Sequence, residues 1–151
     1  MMRLSDNGIN LICQFEAFSP SPYPDPGTGG APFTIGYGTT LYKSGLKVTM
    51  QDPPISKEQA TAELMYHIEN RCYHAIIGLS VVQCQFDALC SFIYNIGAGA
   101  FNSSTLRKLA VIDPNNPDIA GEFARWNKSG GKVLNGLVTR RKAESDMYFG
   151  K

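Results

Sequence analysis

In the stretch FSPSPYPDPG, proline recurs at every second position: Pro20, Pro22, Pro24 and Pro26. Each ring fixes its own φ and removes a backbone donor, and each pushes the residue before it toward extended geometry. A helix cannot cross such a run. Two carboxylates mark it, Glu16 just before it and Asp25 between Pro24 and Pro26. A docking segment of the PxxP kind needs prolines three apart, which a spacing of two never supplies. Stiffness of this sort instead positions a loop residue, because Asp25 keeps few backbone conformations. Glycosidic cleavage commonly uses one carboxylic acid to protonate the leaving oxygen and one carboxylate opposite to activate water or attack the sugar. Straight polyproline geometry would put the two groups up to ~28 Å apart at ~3.1 Å per residue. Inverting enzymes hold them about 6.5–9.5 Å apart, so joint action requires the segment to double back on itself.

The chain has 151 residues, one domain's length, and a chain of that size buries roughly 70% of its unfolded surface. Apolar residues at 43% and charged residues at 18% place it among ordinary globular proteins. A net charge of +1 argues neither for a nucleic-acid surface nor for an acidic polymer. No segment approaches the ~18 apolar residues that cross a bilayer, and no basic region followed by an apolar run opens the sequence. The expectation is a monomer made in the cytoplasm from Met1 onward, without stable membrane insertion. Cys13, Cys72, Cys84 and Cys90 form no CxxC pair, and buried free thiols are expected ahead of one disulfide or a zinc site. The two histidines, His67 and His74, are expected to pack or face solvent. No metal and no cofactor are expected.

Helical periodicity predicts a first helix over 5–16, capped by Ser5, with Ile9, Ile12 and Phe15 on one face and Glu16 at its end. From 17 to about 55, glycine, proline and the run PFTIGYGTTLY predict a small β-containing lobe of two or three short strands. A capping box, Ser56 with Gln59, opens a long connecting helix to about 77, where Gly78 supplies a stop. Helical patterns fill 79–151: VVQCQFDALCSFIYNIG, STLRKLAV, PDIAGEFARWN and VTRRKAESDMYF. The fold class expected is α+β: one domain over 1–151, a mainly helical body with a small β-containing lobe. GTGGAPFT completes no phosphate-binding motif and no GxSxG turn is present. Arg140, Arg141 and Lys142 with Glu144 and Asp146 have the pattern of a solvated face or local ion pairs.

Glu16, eight intervening residues, Asp25, and then FTIGYGTT with Thr34 resemble the Glu, Asp, Thr signature of the phage-type lysozymes, glycoside hydrolase family 24. The resemblance covers nearly the whole chain. SDNGINLICQFEAF is similar to that family's first helix, QFDALCSFIYNIGAGAFNSSTLRKL to its central buried helix and following turn, and EFARWNKSGGKVLNGLVTRRKAE to its carboxyl-terminal signature. Two features depart from it. Eight residues separate Asp25 from Thr34 where the family commonly has about five, so PGTGGAP resembles a three-residue insertion. Thr39 stands where a histidine often follows TIGYG.

The resemblance implies a lysozyme-like fold with a cleft between two lobes. It also implies hydrolysis of the β-1,4 bond between N-acetylmuramic acid and N-acetylglucosamine in peptidoglycan, in an endolysin that lyses its host. Glu16 would be the general acid, and Asp25 with Thr34 would position or activate water on the far side of the sugar. Arg141 would orient Glu16; Tyr94, Asn95 and Ser103 or Ser104 would line the substrate path, with Trp126 in the core. The peptidoglycan glycan strand would be the partner, and a separate holin pore would release the protein from the host cytoplasm to the wall. Two alternatives stay open: a lytic transglycosylase, which needs one acid and no water-activating Asp, and a non-catalytic wall-binding module on the same fold.

Overall fold

The computed structural model describes all residues, Met1–Lys151. They form two compact units, one of residues 1–11 with 70–151 and one of residues 12–69. No helix is long and apolar enough to cross a membrane.

Helix α1, Asp6–Phe15, begins in the first unit and ends in the second. In the second unit, strand β1, Ser19–Tyr23, pairs antiparallel with β2, Thr34–Gly36, in a register that sets Ser19 opposite Gly36 and Tyr23 opposite Thr34. The doubling back expected between Glu16 and Asp25 lies elsewhere. Ser19–Tyr23 is extended, and the reversal falls after Asp25, where Asp25 N–H donates to Gly30 O at 2.9 Å and Gly29 N–H to Asp25 O at 2.8 Å. The proline spacing explains why a strand tolerates the run. N–H groups alternate sides along a strand, so Pro20 and Pro22 lack donors on one edge only. Pro20 lies on the edge away from β2, where its O accepts from Ile55 N–H at 2.9 Å, and the register shifts between Ser19 and Tyr23.

Helix α2, Lys57–Arg71, opens with the reciprocal capping box, Gln59 N–H to Ser56 Oγ at 3.1 Å and Ser56 N–H to Gln59 Oε1 at 2.9 Å. Its Ala60, Leu64, His67 and Ile68 join Ile12, Ile35, Tyr37 and Val48 in the second unit's core. His67 is 6% exposed and spends Nε2 on Leu41 O at 2.6 Å, whereas His74 is exposed.

The helix expected over 56–77 is two helices. Cys72, at φ −113° and ψ −39°, interrupts it, and α3 spans Tyr73–Ile76. Packing overrides periodicity there: the Tyr73 ring lies edge-on to Phe86 at 5.1 Å and its hydroxyl accepts Leu4 N–H at 2.8 Å. The first unit is then built on α4, Gln83–Ile96, which buries every residue from Gln85 to Ile93 and so is the central helix of the body. Around it stand α5, Ala98–Ser103, α6, Thr105–Ile112, α7, Ile119–Ala124, and α8, Asn135–Tyr148. A small hairpin, β3 Lys128–Ser129 and β4 Lys132–Val133, joins α7 to α8. Phe92 sits at the centre of an aromatic cluster, 6.4 Å from Phe101, 5.1 Å from Phe123 and 5.9 Å from Trp126. All four cysteines are free thiols; burial pushes Cys72 up to about 12 and Cys90 higher still.

Candidate active site

Glu16 follows the last turn of α1, where its N–H donates to Ile12 O at 3.0 Å. One turn earlier is Cys13, whose thiol is pushed up by burial, a rise that the Tyr37 hydroxyl opposes by hydrogen bonding and the Glu16 charge reinforces. Burial raises Tyr37 as well. Its ring packs on Phe18 at 5.2 Å, and Lys57 Nζ lies 5.6 Å from the Phe18 ring centroid.

Asp25 stands at the mouth of the hairpin turn, half-buried. Its Oδ2 accepts Thr28 N–H at 3.0 Å, and the turn closes on Gly30 N–H to Thr28 Oγ1 at 3.2 Å. The carboxylate is therefore fixed by its own loop, with both backbone bonds described above holding the same residue. Thr34 opens β2 opposite Tyr23, two residues from Asp25 on the neighbouring strand. PGTGGAP, residues 26–32, lies between the two strands, in the tip of the hairpin. Glu16, Asp25 and Thr34 all belong to the unit of residues 12–69.

The remaining candidates belong to the other unit. Tyr94, half-buried, and Asn95, exposed, end α4 and line a concavity of about 520 Å³ with Asn70, Arg71 and His74. Asn95 Oδ1 accepts from Arg141 Nη2 at 2.5 Å. Ser103, exposed, and Ser104, buried, line a second concavity of about 330 Å³ with Trp126, Glu122 and Arg125. The Ser104 hydroxyl is committed to capping α6: it accepts Arg107 N–H at 3.1 Å and donates to Phe101 O at 2.6 Å. Trp126 is not the core residue expected. It is half-buried, one face against Phe92 and the other on this second concavity, because the short α7 ends before it at Ala124.

Arg140, Arg141 and Glu144 correct the solvated-face expectation. They do form local ion pairs, Arg140 Nε to Glu144 Oε1 at 3.0 Å and Arg141 Nη1 to Glu144 Oε2 at 3.4 Å, but the side chains are 5%, 1% and 0% exposed. Ser91 Oγ donates to Glu144 at 2.7 Å, and Arg141 stacks on Phe92 at 5.0 Å. Burial draws Arg141 down from its ordinary value, against the pull of Glu144. Only Lys142 with Asp146, 2.8 Å apart, lies on the surface. Nowhere do three or more His, Cys, Asp or Glu side chains gather as a metal site would require. Asp87 is not among the residues the sequence points to; an acid inside an apolar helical stripe, as in QFDALCSF, is the signal that marks it.

Residues 13–144 match the family model described as Phage lysozyme. The endolysin of Bacillus phage B103 is 41% identical over 98% of this chain. The chain spans 54% of that protein, about half the length of its Bacillus phage relatives. A crystal structure of a P22 lysozyme mutant superposes with a TM-score of 0.85 at 32% identity, covering 98% of this chain and 99% of that one. The muramidase domain of SpmX from Asticaccaulis excentricus superposes at 0.79 with 26% identity, over 98% of each chain. A family match over residues 13–144, together with relatives of this identity and a superposition over nearly the whole chain, settles the family: the chain belongs to the phage lysozyme family.

Proposed function

We propose that this chain is a peptidoglycan hydrolase that cleaves the β-1,4 bond between N-acetylmuramic acid and N-acetylglucosamine, acting as an endolysin. The observation that carries the reading is the hairpin that fixes the Asp25 carboxylate by its own turn and sets Thr34 two residues away on the neighbouring strand. Glu16 is assigned as the acid that protonates the leaving oxygen. Asp25, with one oxygen engaged by Thr28, keeps the other to accept a proton from water, and the Thr34 hydroxyl orients that water. Attack by this water on the anomeric carbon, as the leaving oxygen takes the Glu16 proton, breaks the glycosidic bond and leaves a reducing end. Arg141, held by Glu144 and Asn95, is assigned an orienting role. Tyr94, Asn95 and Ser103 are assigned to binding the glycan strand. The protein acts as a monomer and reaches the wall through a holin pore.

The test is cleavage of purified peptidoglycan with product analysis. Glu16→Gln lowers the rate by about 10²–10⁴-fold, the usual contribution of a general acid, and wild type releases reducing ends. Anhydro-muramic products with little effect of Asp25→Ala would show a lytic transglycosylase. Wild-type clearing no faster than Glu16→Gln would leave a wall-binding module.

A further inference from the structure

Asp87 is a buried acid that the proposed chemistry does not use. It is 2% exposed on α4, and it spends its carboxylate entirely on the start of α1 and its own helix. Oδ1 accepts Ser5 N–H at 3.0 Å and Gln83 Nε2 at 2.8 Å, while Oδ2 accepts the Ser5 hydroxyl in a short hydrogen bond. Gln83 Nε2 also donates to Arg3 O at 2.8 Å, and Ser5 Oγ in turn accepts Gly8 N–H at 3.3 Å. The fit is tight: a Cβ on Gly8 would stand 2.5 Å from Leu4 Cδ1 and 2.8 Å from the Asp87 carboxyl. An uncompensated buried carboxylate is costly, so a sequence that needed only to close α1 onto α4 would do so with an apolar pair. Here the contact is charge-assisted and directional, and it fixes the backbone of α1's first turn in both rotation and translation.

A ten-residue helix is a rigid rod of ~15 Å, and Glu16 is the residue after its last turn. We infer that Asp87 is a positioning residue for Glu16, acting through α1. The inference rests on Glu16 being the general acid proposed above. Displacement of the first turn is carried along the rod to the acid, and a misplacement of about 1 Å can cost roughly a hundredfold in rate.

The experiment compares Asp87→Asn, Ser5→Ala and a stability control, Gly130→Ala, whose site lies in the turn of the β3–β4 hairpin with φ at +59° and nothing within 4 Å of the added Cβ. Each is assayed on soluble peptidoglycan fragments well below its Tm, and the Glu16 carboxyl is titrated by NMR in each. Asp87→Asn turns one acceptor into a donor facing Ser5 or Gln83. It is expected to lower kcat about tenfold to a hundredfold with KM held within about twofold, and to move the Glu16 titration midpoint; Gly130→Ala moves neither. Ser5→Ala removes one bond and gives a smaller change in the same sense, which keeps the test decisive where Asp87→Asn fails to fold. Wild-type kcat and an unmoved Glu16 midpoint in folded variants overturn the inference. If wild type cleaves nothing, the proposed function fails, and the Glu16 midpoint alone still decides whether Asp87 governs that residue.

Discussion

Gly36 closes β2 with φ at +65°, and its missing side chain is where α2 comes closest to the hairpin. A Cβ built there would lie 3.0 Å from Ala60 Cβ, 3.3 Å from Ile55 Cδ1 and 3.5 Å from the Ala60 backbone. Gly36→Ala therefore carries two costs. The left-handed conformation costs an L-residue about 1–2 kcal/mol, and overpacking against a helix that cannot retreat costs about 1–3 kcal/mol, so about 2–5 kcal/mol in all. For a chain of this length, at ~2–4 °C per kcal/mol, Tm should fall by about 4–20 °C. Gly29→Ala isolates the first cost: its φ is +71° and nothing lies within 4 Å of the added Cβ. It should cost about 1–2 kcal/mol, and the gain from a stiffer unfolded chain cancels between the two. Calorimetry of both variants reads the packing cost as their difference. Ala60→Gly in the Gly36→Ala background removes the nearest atom, so the double variant should lose less than the sum of the singles despite the ~1 kcal/mol that glycine costs a helix. Equal losses for Gly36→Ala and Gly29→Ala, or strict additivity with Ala60→Gly, would refute the close-approach argument.

Ser104→Ala should cost about 1 kcal/mol through loss of the α6 cap and leave KM unchanged, whereas Ser103→Ala should raise KM and leave Tm unchanged; thermal melts beside glycan-binding assays separate the two. Asp52 is held below its ordinary value by the Thr49 backbone and hydroxyl and by Tyr42. The stability it contributes is complete above the unfolded carboxyl value of about 4 and is lost as pH falls through the lower folded value. Tyr42 has the opposite sign: pushed up to about 12, chiefly by burial and then by Asp52, its contribution is lost as pH rises through that value. A Tm profile from acid to neutral pH should therefore be flatter in Asp52→Asn than in wild type, and parallel profiles would contradict the assignment.

What could be seen in the sequence was local chemistry. The Ser56–Gln59 box forms in both directions because both partners lie within one turn, and α4 is legible because an apolar stretch of that length has one burial state. What could not be seen depends on partners distant in sequence. Cys72 breaks the connecting helix because Tyr73 is drawn between Leu4 and Phe86. Arg140 and Arg141 look like surface cations until Ser91 and Asn95, some fifty positions away, are placed against them. The β3–β4 hairpin is too short for alternation to register, and α5, six residues, too short for a helical period.

The prolines are the case where the sequence constrained the backbone and left the geometry open. A period of two is compatible with a polyproline helix that doubles back and with a strand, since both are extended and both tolerate fixed φ. The choice turns on which donors are lost. Pro20 lacks its donor on the edge where Pro20 O meets Ile55, while Asp25 N–H donates to Gly30 across the turn. The pairing side is irregular: the register shifts between Ser19 and Tyr23, and the Ser21 carbonyl accepts from the Ser19 hydroxyl at 2.6 Å. Beyond that shift Tyr23 faces Thr34, and Asp25 closes the turn with both its backbone groups and one carboxylate oxygen. Moving Pro24 one position on, to 25, would remove the N–H that ties Asp25 to Gly30 and release the residue from the turn that holds it near Thr34.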